Sequence, residues 1–254
     1  MNNKNINKIK FSIITVTKNS EKYLERNILS LKKQIYNNYE HIIIDSNSKD
    51  KTKKILRKYK SGLRILSEED EGLYYAMNKG IKLASGQVIG ILNSDDFYYP
   101  KALKIINDYF TNNPKIDFVF GSTIKYNKIM TGFNPWKIHW TFGFYTTHSV
   151  GFFIKTKSQK KIGSYNTKFK YSADYDLFYR MIVKKKMNGI ATKKNELIGY
   201  FQPGGISDKI KYLDYLKENT KIRLHNNQNY FLVMLIHILR YIKRWKLIAK
   251  QSKD

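Results

Sequence analysis

The chain contains no cysteine. Disulfides, thiolate metal centres, zinc fingers and cysteine nucleophiles are therefore excluded, and the absence fits a reducing compartment. Proline is scarce, at 4 of 254 residues, and no Pro- or Gly-rich linker or internal repeat divides the sequence. Long apolar runs are missing too: the longest candidate, Tyr230 to Leu239, is interrupted by His237 and falls short of the roughly 18 residues a membrane span needs. The opening MNNKNINKIK is polar and basic, with no apolar stretch after it to form a signal peptide. A soluble or peripheral protein on the cytoplasmic side is the expectation. Acidic residues are few, 20 against 47 basic ones, and the resulting charge of +27 points to an anionic partner: nucleic acid, nucleotide or membrane surface. Arginine is short as well, 7 residues against 40 lysines. Because the planar guanidinium is the better reader of phosphates and bases, that shortage weakens the nucleic-acid option, and compositional bias alone accounts for part of the lysine excess.

What is present is an alternation of short apolar runs with helical spacing. Phe11 to Val16 (FSIITV), His41 to Ile44, Leu63 to Leu66 and Gln87 to Leu92 (QVIGIL) read as strands. Ser20 to Ile35, Lys51 to Lys60, Leu73 to Ala84 and Pro100 to Phe110 read as helices between and after them. With 42% hydrophobic residues the chain can bury a sizeable core. The pattern predicts an α/β domain with a mainly parallel central sheet flanked by helices, whose ligands bind beyond the carboxyl ends of the strands. Those ends carry Thr17-Lys18-Asn19, Asp45-Ser46 and Asp95-Asp96. Neither GxGxxG nor GxxxxGK[ST] follows any strand, so a bound phosphate must be held by other means.

The acids are concentrated: eight of the 20 fall in Glu68 to Glu71, Asp95/Asp96 and Asp174/Asp176. Two adjacent carboxylates directly after an apolar strand cannot both enter a core unpaired, and they suit a hard divalent cation. Asn93-Ser94-Asp95-Asp96 is also good turn chemistry, which is the plainer reading.

FSIITVTKNS, HIIIDSNSKDKT, SEEDEGLYYAMNKGIKLASGQVIGILNSDDFY, HSVGFF, SADYDLFYRM and GGIS, in this order and spacing, resemble the nucleotide-sugar-dependent family 2 glycosyltransferases of the GT-A fold, especially bacterial enzymes of O-antigen or capsule synthesis. The resemblance covers roughly residues 11 to 207, implying a GT-A catalytic domain at 1–207 followed by a basic, helical extension at 208–254. It implies donor-binding roles for Thr15, Thr17, Asn19, Asp45, Asp70, Gly72, Asn78, Lys79 and Asp95. At Asp45 the carboxylate would accept the uracil N3–H, favouring UDP, although Ser46 and Asn47 replace the family's second aspartate and glycine. Asp95 would contact ribose or sugar and Asp96 a metal, Mn²⁺ or Mg²⁺, with His148 a further metal or diphosphate contact or else a structural residue. Asp174 would be the general base of an inverting displacement, with Ala173 in place of the usual glutamate; Asp176 points elsewhere. Gly204-Gly205-Ile206-Ser207 matches a loop that can close over the donor.

Past Ser207 the resemblance fades. Lys209 to Asp254 carries 11 basic and three acidic residues. Phe231, Leu235, Ile238, Ile242 and Trp245 alternate there with Arg240, Lys243, Arg244, Lys246 and Lys250, which fits a helix lying on an anionic membrane, or one packed on the catalytic domain or a second subunit. The expected partners are a nucleotide-sugar donor, a saccharide or lipid-linked saccharide acceptor and the inner membrane surface, without nucleic acid. The competing readings are a nucleic-acid-binding protein and a metal-dependent nucleotidyltransferase. Trp136, Trp140, Phe142 and Phe144 either stack on sugars or fill a core; burial decides.

Overall fold

A computed structural model describes residues 8–140, 143–205 and 208–252. β1 (Phe11–Thr17), α1 (Leu24–Lys32), β2 (Tyr39–Asp45), α2 (Thr52–Lys58), β3 (Leu63–Ser67), α3 (Leu73–Leu83) and β4 (Val88–Ile91) follow one another along the chain. The four strands pair in parallel in the order β4-β1-β2-β3, each return made by a helix. All seven residues of β1 are buried, as a strand covered on both faces requires. Ile14 and Val16 meet Tyr74, Ala76 and Met77 of α3 on one face. Phe11 and Ile13 meet Leu103, Ile106 and Phe110 on the other, from α4 (Ala102–Asn112). Gly80 lets α3 lie close on β1, since a Cβ there would run into Ile14. The helix expected from Ser20 begins only at Leu24, because Ser20 is used elsewhere: its N–H donates to Thr52 Oγ1 and its hydroxyl bonds that of Ser94.

Beyond β4 the sheet reverses. β6 (Phe118–Phe120), β9 (Phe152–Lys155) and β10 (Gly189–Ala191) extend it to the order β10-β6-β9-β4-β1-β2-β3, with β9 antiparallel to both neighbours. The sheet is thus mixed, not parallel throughout. β5 (Phe97–Tyr98), β11 (Leu197–Phe201), β7 (Ser122–Lys125) and β8 (Lys128–Met130) form a second sheet in the order β5-β11-β7-β8. α5 (Thr156–Ile162) and α6 (Ala173–Tyr179) follow β9, and α6 runs into a π-helical turn at Arg180–Lys184. α7 (Tyr212–His225) and α8 (Tyr230–Gln251) form the expected helical segment, but α7 is no appendage: Ile222 lies in the same buried cluster as Tyr175 and Phe178.

Thr15 does not reach the ligand edge. Its hydroxyl lies 2.9 Å from His41 Nε2 and 3.3 Å from Asn27 Oδ1, all three side chains buried beneath α1. Burial pushes the His41 pKa down from 6.5 to about 3, so the imidazole is neutral in the fold. The unfolded chain binds that proton and the folded chain does not. This contribution is therefore complete above about pH 6.5 and is lost, at up to about 1.4 kcal/mol per pH unit, as pH falls toward 3. Urea unfolding followed between about pH 6.5 and pH 5 should show a loss roughly 2 kcal/mol larger in the wild type than in His41→Gln. Equal slopes would reject the assignment.

Candidate active site

Register aligns Thr17, Asp45 and Ser67 in one row where β1, β2 and β3 end. The loops leaving them are tied together in sequence. Asn19, in the left-handed region at φ 51°, accepts from Lys49 N at 2.8 Å, and its own N–H donates to Ser48 Oγ. Asp45 is fully buried, accepting from the Ser48 hydroxyl at 2.5 Å and N–H at 3.2 Å and from the Ser67 hydroxyl at 2.6 Å. A carboxylate so surrounded shapes the loop, and the group it leaves at the edge is Ser46, whose hydroxyl donates to Asp70 at 2.8 Å. Asp70 also pairs with Lys79, which reaches Glu68 at 2.7 Å. These carboxylates hold the Lys79 ammonium above its usual range. Gly72, at φ 152°, opens α3 in a conformation that favours glycine. Asn78 spends both ends of its amide on the Tyr165 backbone, at 2.9 and 3.0 Å, and so braces a loop. Thr17 Oγ1, buried at the strand end, has no hydrogen-bond partner among the described residues.

Asp95 and Asp96 follow β4 at the same edge. Asp96 is 1% exposed; Ser149 Oγ donates to one carboxylate oxygen at 2.5 Å and Gln202 N to the other at 2.8 Å. Burial, reinforced by Asp95, pushes its pKa up to about 8. The Asp95 carboxyl is pushed up by burial too, with Arg26 opposing. Arg26 donates to the Asp95 carbonyl at 2.6 Å and to Gln202 Oε1 at 2.9 Å while stacking over Phe97. Arg26 beside Asp95 and Lys125 toward Asp96 offset only part of the cost of burying these acids, and each Asp96 oxygen keeps a lone pair. The pair therefore fits a hard divalent ion completed by phosphate oxygens. His148 does not join it: among the described residues no three His, Asp or Glu side chains converge on a metal position. Its Nε2 lies 2.6 Å from Tyr165 Oη, its ring packs between Tyr165, Phe152 and Phe178, and burial holds it below the usual histidine range, against the pull of Asp174.

Asp174 sits in the first turn of α6, partly exposed, with Tyr74 Oη donating to one oxygen and Tyr145 Oη to the other, each at 3.2 Å. Two hydroxyls from separate elements thereby fix the carboxylate's plane. The turn before it is held by α7. Glu218 accepts from the N–H groups of Lys170, Tyr171 and Ser172 at 2.8, 2.7 and 2.7 Å. Asp176 is buried and structural, bonded to Arg180 and Asn226. Lys125 stacks 4.1 Å from the Phe201 ring centroid; burial lowers its pKa, and Asp208, Asp96 and Asp174 all act to raise it.

The profile of the family described as Glycosyl transferase family 2 matches residues 12–181. The chain belongs to that family. An uncharacterized glycosyltransferase of Methanocaldococcus jannaschii is 30% identical over 67% of this chain, and the match spans 64% of that protein's length. An Escherichia coli enzyme, UDP-Glc:alpha-D-GlcNAc-diphosphoundecaprenol beta-1,3-glucosyltransferase, is 35% identical over 44% of each chain. In fold, the chain is similar to S. aureus TarS 1-349 in complex with UDP-GlcNAc, with TM-score 0.66 and 19% identity over 90% of this chain and 70% of that one. It is also similar to a mannosyltransferase of Pyrobaculum calidifontis in complex with GDP-Man and Mn²⁺, with TM-score 0.68 and 14% identity over 97% and 74%. The α/β sheet flanked by helices is thus the GT-A arrangement.

Gly204 and Gly205 follow β11, Gly204 at φ 91°; Ile206 and Ser207 of the matched loop, like Phe142, lie outside the described residues. A Cβ on Gly205 would come 3.1 Å from Asp95 Oδ2, so the loop lies against the acidic pair. Phe144 is core, whereas Trp136 and Trp140 are exposed. Arg26, Lys125, Tyr145, Gln202 and Glu218 were not visible as site residues from sequence: each is joined to the site by pairing between segments distant in the chain. Tyr74 and Ser149 lie inside matched segments, where a polar group beside a motif acid was the available signal.

Proposed function

We propose that this protein is an inverting, metal-dependent glycosyltransferase that moves a sugar from a UDP donor to a hydroxyl of a surface-glycan acceptor, lipid-linked and presented at the inner face of the membrane. The observation that carries the reading is a run of contacts between the two acids: Ser149 donates to Asp96, the adjoining His148 lies 2.6 Å from Tyr165 Oη, and Tyr165 packs on Tyr74, which donates to Asp174. The donor names of the E. coli relative and of the TarS complex favour UDP, and the relative's diphosphoundecaprenol acceptor favours a lipid carrier.

In this reading Asp174 accepts the acceptor hydroxyl's proton as that oxygen bonds to the anomeric carbon. The bond from that carbon to the diphosphate oxygen breaks on the opposite face, which inverts the centre. Tyr74 and Tyr145 hold the carboxylate in line. Asp96 with Asp95 would hold a divalent cation, which supplies charge neutralisation on the departing diphosphate. Lys125 adds a fixed positive charge beside it. Ser46, Asp70 and the Thr17 hydroxyl offer the nucleoside polar contacts, with Asp45 as the support beneath them.

The test is donor hydrolysis with UDP-, GDP- and dTDP-sugars, each with Mn²⁺, with Mg²⁺ and with a chelator. Turnover of a UDP-sugar that requires the metal is the expected result. Preference for another nucleotide, or turnover unaffected by chelation, would overturn the donor or the metal assignment respectively.

A further inference from the structure

α8 carries an apolar stripe that the rest of the described protein leaves uncovered. Phe231, Leu235, Ile238, Ile242 and Trp245 recur at spacings of four and three, which places them on one helical face. They are 81%, 53%, 51%, 59% and 55% exposed. Leu239 and Tyr241 flank them, also exposed. The stripe cannot turn inward, because α8 is pinned by its other side. Val233, Ile236 and Ile248 are buried, His237 Nδ1 lies 2.8 Å from Thr220 Oγ1, and Arg240 donates to the Trp140 carbonyl at 3.1 Å. At the far end Gln251 receives bonds from Lys211 and Tyr212.

Charge identifies what covers it. Arg240, Lys243, Arg244, Lys246 and Lys250 lie on α8, and residues 230–251 include no Asp or Glu. We propose that α8 docks in the plane of an anionic lipid bilayer, its stripe entering the headgroup boundary while Lys243, Arg244, Lys246 and Lys250 meet lipid phosphates. This deepens the membrane placement proposed above and rests on it. A second copy of the chain fits less well, since pairing two such helices brings the eight cations at Lys243, Arg244, Lys246 and Lys250 together with no carboxylate between them. Tyr230, Phe231, Tyr241 and Trp245 supply the aromatic content characteristic of a membrane–water boundary. The helix lies on the surface and does not span it: among the described residues no helix is long and apolar enough to cross a membrane. α8 packs on α7, the helix whose Glu218 holds the turn before Asp174, so the docking face and the candidate base are joined through one element.

Vesicle flotation of the full chain tests this, with phosphatidylcholine alone and with phosphatidylcholine mixed with phosphatidylglycerol, at low and high salt. The bound fraction should be about tenfold higher or more on the anionic vesicles and fall with salt. Ile238→Asp/Ile242→Asp should abolish flotation while UDP-sugar hydrolysis and the melting temperature stay at wild-type values; Lys243→Gln/Arg244→Gln/Lys246→Gln should lose the preference for anionic lipid. Wild-type protein that does not float, or a double variant that floats equally, overturns the proposal. So does a wild-type dimer in light scattering that the double variant converts to monomer, which would make the stripe a subunit interface. Flotation without hydrolysis of any nucleotide-sugar would instead overturn the glycosyltransferase reading and leave the docking surface standing.

Discussion

Asp174→Asn should lower sugar transfer by about 10²–10⁴-fold, the range supplied by a positioned general base. The substitution keeps the side chain's shape. Tyr74 can still donate to an amide oxygen, and the amide nitrogen can donate to the Tyr145 hydroxyl in place of accepting from it, so α6 and its turn should hold. UDP binding, measured by calorimetry, should be unchanged, because the donor-side loops around Ser46, Asp70 and Asp95 share no hydrogen bond with Asp174 among those described. The two measurements separate a base from a donor ligand. Transfer retained near the wild-type rate would remove Asp174 from the chemistry, and loss of UDP affinity in step with transfer would move it to the donor pocket.

The order of strands and helices through α4 was legible because β1 and β4 are buried apolar runs, β2 and β3 carry short apolar runs, and helices such as α3 and α4 keep one apolar face, patterns that depend only on local spacing. The antiparallel β9 was not, since FFIK reads the same in either direction and its orientation is set by pairing with β4 and β6 far away in the chain. The acidic positions of the site were legible for a related reason: unpaired carboxylates at strand ends are costly unless they have a use. What each side chain does there was less so. Asp45 and Asn78 carry motif identities yet spend their polar atoms on Ser48, Ser67 and the Tyr165 backbone, so a motif position told where the loop is and not which atom faces the ligand. Glu218 shows the opposite case. It lies beyond the matched residues, and nothing in the surrounding sequence singles it out, yet three backbone N–H groups just before the helix that carries Asp174 converge on it.

Asp96→Asn should cut turnover about a hundredfold or more, since the cation it would hold offsets several kcal/mol of charge on the leaving diphosphate. Without metal, the same change should raise the melting temperature. The carboxyl's folded pKa of about 8 lies above its ordinary 3.8, so its favourable protonated form is fully present below about pH 3.8 and is lost as pH rises toward 8. At neutral pH the fold thus carries a cost that a neutral amide of equal size avoids, while still accepting from the Ser149 hydroxyl or the Gln202 N–H. Mn²⁺ or Mg²⁺ added on top of UDP should stabilise the wild type further and leave the variant where UDP alone puts it. Thermal denaturation of both proteins across these conditions checks the sign as well as the site. A variant less stable than wild type without metal, or equally stabilised with it, would make Asp96 a structural partner of Ser149 and Gln202 and not the residue that holds the cation. A buried acid kept at a cost to stability until its cation arrives is the pattern expected of a site built for charge neutralisation, in a chain whose surplus of lysine suggests at first that carboxylates matter least.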